Sequence, residues 1–133
     1  MADERGRELL AQLAHFTEAQ AAAATALARK SVEQTVAAAA LATAFARRRA
    51  RSAGKFTQAD EMFFTRAGYE QSTSEAVARH RAERFARYRT VVDLCCGIGS
   101  DTIALAGAPG RSRDVIGVDN DTDALACATL NAR

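Results

Sequence analysis

Val91-Val92-Asp93-Leu94-Cys95-Cys96-Gly97-Ile98-Gly99-Ser100-Asp101-Thr102, followed by Val115-Ile116-Gly117-Val118-Asp119, is the stretch that decides how this chain folds. An apolar run ends in an acid, a Gly-x-Gly turn opens a helix, and a second apolar run ends in another acid. Short apolar runs bounded by glycine and acids read as buried strands, and the intervening period is helical. The pattern predicts a strand over 90–94, a helix over 100–107, a loop Gly107-Ala108-Pro109-Gly110, a strand over 114–119 and a helix over 122–132.

A strand that carries an acid into a glycine turn suits a nucleoside ligand. The glycines admit it to the backbone, and an acid at the second strand's tip can grip ribose hydroxyls. The dinucleotide fingerprint needs a third small residue, where this chain has Thr102. Asp93 would also repel a pyrophosphate on the helix N-terminus. S-adenosylmethionine has no phosphate and carries an ammonium and a sulfonium. Asp93 can meet the ammonium, Gly97 and Gly99 leave room for the methionine part, Asp119 can take the ribose diol, and Asn120 falls beside adenine. The structural alternatives are that Asp93 caps its turn and that Asp119 is an ordinary residue at a helix start. Ser100 and Asp101 read as helix-start residues, and Asp121 or Thr122 as the cap of the last helix.

On these residues the chain resembles a family. Asp93-Leu94-Cys95-Cys96-Gly97-Ile98-Gly99 is similar to motif I of class I S-adenosylmethionine-dependent methyltransferases, with Cys95 where many members have a first glycine. Val118-Asp119-Asn120-Asp121 resembles motif II. The stretch from Phe64 to His80 resembles the segment before motif I in trimethylguanosine-synthase-like methyltransferases and bacterial relatives with a THUMP-like C-terminal domain. The likeness covers about residues 55–131. It implies a helical N-terminal subdomain over 1–89, then the first βαβα of a Rossmann-like S-adenosylmethionine-binding domain over 90–133, with an incomplete sheet. It also brings Cys95 and Thr73 toward the cofactor and implies methyl transfer, with an RNA base nitrogen as acceptor. The family's catalytic motif on its fourth strand has no counterpart here, so no catalytic residue is named. The chain therefore reads as the front part of a longer protein or as a truncated product, inactive alone.

The upstream half reads as consecutive helices. Leu9, Leu13 and Phe16 share a helical face. Thr17-x-x-Gln20 and Ser31-x-x-Gln34 read as capping boxes, the second opening a helix that reaches Arg51 and stops at Gly54. A short helix is expected over 58–64 with a turn at Gly68. Ser72-x-x-Glu75 then caps a helix over 74–88, with Val77, Ala78, Ala82, Phe85 and Tyr88 toward the core.

Composition limits the core. About half of the 48% hydrophobic fraction is alanine, so helices can pack closely while each buries little area. The net charge of +2 hides a gradient, because residues 47–89 hold eleven basic and five acidic groups. Arg47, Arg48, Arg49 and Arg51 end a long helix. They either complement its dipole or form a phosphate-contacting patch for RNA. Cys95, Cys96 and Cys127 lack metal-site or disulfide spacing and read as thiols of a cytoplasmic protein. No stretch reads as a membrane span or signal peptide. Two further functions stay open: a non-catalytic RNA-binding or interaction module, and a nucleotide-dependent oxidoreductase, against which Thr102 and Asp93 argue.

Overall fold

The structure, a computed structural model, describes residues 4–109 and 112–133. Gly110, in the expected loop, lies outside the described residues. The chain is mixed α/β, mostly helical, with a small two-stranded parallel sheet.

Helix α1 spans Glu4–Leu13, α2 Ala21–Ser31 and α3 Gln34–Ser52. Leu9, Leu10 and Leu13 of α1 are buried on the alanine faces of α2 (Ala24, Ala28) and α3 (Ala37, Ala40, Ala44). The alanines permit close approach, while most of the apolar area comes from the three leucines, each worth roughly 1.5–3 kcal/mol. Phe16 joins this cluster from beyond the end of α1. The Thr17 box forms: Gln20 Oε1 accepts from Thr17 N at 3.0 Å, opening a 3-10 turn, Glu18–Gln20, that runs into α2.

The Ser31 box does not form. Ser31 is the last residue of α2, and its hydroxyl donates back to Leu27 O at 3.0 Å. Serine in a final helical turn competes for the carbonyl four residues earlier. Val32 then turns extended, and α3 opens after Glu33. The other end of α3 is as expected. Gly54 adopts φ +59, Gly54 N donates to Arg51 O and Lys55 N to Ala50 O, the pair of bonds that closes a helix on a left-handed glycine.

Residues 58–64 are not a helix, and Gly68 is not a turn. The chain runs through turns at 57–61 and irregular backbone to Thr65, and the helix is α4, Arg66–Gln71. Here backbone groups are met by side chains instead of a helical ladder. Thr57 N donates to Glu75 Oε2 (2.6 Å), and Phe63 N to Asn131 Oδ1 (2.7 Å). Thr43 Oγ1 donates to Phe64 O (3.0 Å) and accepts from Phe64 N (3.3 Å). Thr65 caps α4, accepting from Gly68 N at 2.9 Å. Ser72 caps nothing downstream, since its hydroxyl donates to Tyr69 O. Helix α5 is Glu75–Glu83, shorter than expected and followed by turns to Arg87. Ala78 and Ala82 are buried with Phe85 behind them, whereas Val77 (50%) and Tyr88 (46%) are exposed.

Strand β1 (Thr90–Leu94) pairs in parallel with β2 (Asp114–Val118), Val92 opposite Ile116 and Leu94 opposite Val118. Helix α6, Ser100–Gly107, connects them, and α7, Thr122–Asn131, follows. Val91 and Val115 pack with Ala82 and Leu105. The alternate residues Val92, Leu94, Ile116 and Val118 form an exposed apolar face, although parallel strands are normally covered on both sides. A second cluster, Ala46, Ala50, Phe56, Ala59, Phe64, Ile98 and Cys127, spans the 89/90 boundary. Asn131 reinforces it, donating to Phe63 O and Ile98 O at 3.0 Å each. Among the described residues no helix is long and apolar enough to cross a membrane.

Candidate functional site

Beyond Leu94 the backbone makes a left-handed series: Cys95 at φ 60, Gly97 at φ 56 and Gly99 at φ 85. Cys96 N still pairs with Val118 O (3.0 Å), so the loop starts from the sheet, and Gly99 N returns to Cys96 O (2.9 Å). Cys95 holds a conformation that costs an L-residue about 1–2 kcal/mol, where glycine would sit without strain.

The acids lock this loop. Asp119 Oδ2 accepts from Gly97 N at 2.7 Å and Oδ1 from Asp121 N at 3.0 Å. These backbone donors, Asp121 first and then Gly97, hold its carboxyl below the usual carboxylate range. Asp93 Oδ2 accepts from Thr102 Oγ1 at 2.6 Å. Asp121 Oδ1 caps α7, accepting from Asp123 N and Ala124 N. Each carboxylate oxygen can accept more than one bond, so both Asp93 and Asp119 keep acceptor capacity toward a ligand.

A cleft of about 530 Å³ opens over the loop, within the size range of small-molecule sites. Thr73, Asp93, Cys95, Gly97, Asp119 and Asn120 all line it. Gly99 does not. A Cβ there would sit 3.2 Å from Ala128 Cβ, so this glycine lets α7 approach the turn. A Cβ on Gly97 meets nothing within 4 Å and would enter open space.

Two features of the site escaped sequence reading. Arg81, counted there only among the eleven basic groups of residues 47–89, is paired to Asp101 at 2.8 Å and reaches Thr73 Oγ1 at 3.4 Å, tying α5 and the segment before it to the start of α6. Thr102, noted only as a missing small residue, orients Asp93. A hydroxyl nine residues after the strand-end acid was the available signal. Among the described residues the cleft thus presents four carboxylates, Asp93, Asp101, Asp119 and Asp121, against the single guanidinium of Arg81. Burial, then Asp93 and Asp119, push the Cys96 thiol up, and burial with Asp123 and Asp121 raises Cys127 to about 11. Neither is a ready thiolate nucleophile.

The arginines ending α3 are engaged within the protein. Arg47 donates to Met62 O (2.7 Å) and lies over the Phe63 ring. Arg48 reaches Ala14 O, Arg49 lies over Tyr69 between Glu18 and Glu70, and Arg51 pairs with Asp60 at 2.9 Å. Burial lowers the basicity of Arg47.

The chain matches no protein-family model, no curated protein and no solved structure.

Proposed function

We propose that the cleft over the Gly97 turn is the S-adenosylmethionine site of a class I methyltransferase with a Rossmann-like cofactor domain. The observation that carries this reading is the charge of the cleft: four carboxylates against one guanidinium around a glycine whose missing side chain leaves space. Such a lining favours a ligand with an ammonium and a sulfonium and opposes a pyrophosphate. Asp93, held by Thr102, meets the ammonium. Asp119, fixed by two backbone N–H groups, accepts from the ribose diol, with Asn120 beside adenine. Arg81 is the cation available to the methionine carboxylate, and Cys95 and Thr73 complete the wall.

The bound cofactor supplies an electrophilic methyl group, which passes to an acceptor lone pair in one displacement. The contribution of these residues is positioning and electrostatics. The acceptor class is an RNA base nitrogen. Because Arg47, Arg48, Arg49 and Arg51 have internal partners, phosphate contact would fall mainly to the exposed Arg84, Arg87 and Arg89.

Equilibrium dialysis against labelled S-adenosylmethionine and NAD tests the reading. Retention of the first alone, reduced in Asp93→Asn, supports it. Retention of NAD would revive the oxidoreductase, and retention of neither removes the cofactor site.

A further inference from the structure

Arg81 and Asp93 line two adjoining spaces, the cleft over the Gly97 turn and a groove of about 240 Å³ beside β1 that reaches Phe85 and Leu105. They carry opposite charges, yet among the described residues they are not paired with each other. Thr102 holds Asp93, while Asp101 and Thr73 hold Arg81.

The way Arg81 is held leaves part of it free. Nη1 alone makes both bonds, 2.8 Å to Asp101 Oδ1 and 3.4 Å to Thr73 Oγ1. Nε and Nη2 have no partner among the described residues, and the side chain is 51% exposed. A guanidinium fixed at one nitrogen keeps its Nε–Nη2 edge, whose two parallel N–H groups match a carboxylate. Asp101 is the more buried of the pair, and its charge competes with any second carboxylate for the same guanidinium.

We infer that Arg81 selects ligands with a complete α-amino acid tail, and that Asp101 sets how strongly it does so. This rests on the cofactor reading above. The tail's ammonium meets Asp93, and its carboxylate meets the Nε–Nη2 edge of Arg81. The two charges on one carbon are thus matched by two groups that the fold brings to the same place without pairing them. Without Arg81 the charged lining among the described residues is four carboxylates, and the cleft favours a purely cationic tail.

The test is calorimetry of the 133-residue chain with S-adenosylhomocysteine, its decarboxylated analogue S-adenosyl-3-thiopropylamine, and 5′-methylthioadenosine, which has no charged tail. The parent binds S-adenosylhomocysteine about fivefold more tightly than the decarboxylated amine. Arg81→Gln abolishes or reverses that preference and leaves 5′-methylthioadenosine affinity unchanged. Asp101→Asn keeps an oxygen for Nη1 but removes the competing charge, so the preference rises by about two- to threefold. This second variant decides the matter if Arg81→Gln fails to fold. Equal binding of the two tailed ligands by the parent, or an unchanged preference in either folded variant, overturns the inference; saturable 5′-methylthioadenosine binding in the same experiment leaves the cofactor site standing. If neither S-adenosylhomocysteine nor 5′-methylthioadenosine binds the parent, the cofactor reading and this inference fall together.

Discussion

Gly68→Ala should destabilise the protein although Gly68 lies inside a helix. On an exposed helix this change gains about 1 kcal/mol from propensity. Gly68 has no left-handed backbone, so its missing side chain serves space alone. An added Cβ would fall well inside contact distance of Ile98 Cγ2 and 2.7 Å from Thr65 Oγ1. Ile98 is 1% exposed and sits between the two loop glycines, so it has little room to retreat. Overpacking of this kind costs about 1–3 kcal/mol. Displacing Thr65 Oγ1 also weakens the α4 cap, worth about 1 kcal/mol. Set against the propensity gain, the net loss is about 1–3 kcal/mol. For a chain of this length that lowers Tm by roughly 3–12 °C, read by far-UV circular dichroism and checked by calorimetry. A Tm equal to or above the parent's would refute the packing of α4 on the Gly97 loop.

Thr43→Val should cost about 1–3 kcal/mol, because the buried N–H and C=O of Phe64 both lose their partner; urea unfolding with an unchanged m-value checks it. Cys95→Val should cost about 1–2 kcal/mol at an exposed position through left-handed backbone strain, with Cys95→Gly tolerated in the same melts. Glu75 gives a pH signature. Its carboxyl is held below the ordinary 4.5, chiefly by Thr57 N–H. A depressed folded value means that this stabilisation is present above about pH 4.5 and is lost as pH falls through the folded value. Glu75→Gln should therefore lower Tm at pH 7 and flatten the acid side of the stability profile; an unaltered acid limb would count against the Thr57 bond.

The β-α-β stretch was legible because its cues are local. Apolar runs, glycines and acids mark 90–94 and 100–107 to the residue, and the second strand and last helix to within one. Six of the seven expected cofactor residues line one cleft, five of them because the two strand tips lie side by side in any parallel pair, and Thr73 because the segment before α5 folds over the loop. Gly99 differs because its neighbour, Ala128, is distant in sequence. The 56–75 segment was misread for a related reason. Its Phe-rich pattern suits a helix, but its backbone is held by Thr43, Glu75 and Asn131, partners that no local window contains. The Arg47–Arg51 run shows the same limit: charge is visible in sequence, while Asp60, Met62 O and the Tyr69 ring become partners only on folding.

The most direct test of the central claim is a 15N-HSQC titration of the chain with S-adenosylhomocysteine, repeated with NAD and with a Gly97→Val variant shown by circular dichroism to be folded. The account predicts saturable shifts confined to Thr73, Asp93 to Gly97, and Asp119 to Asn120, absent with NAD and lost in the variant. No saturable shift at these amides, or the same shifts with NAD, would contradict it.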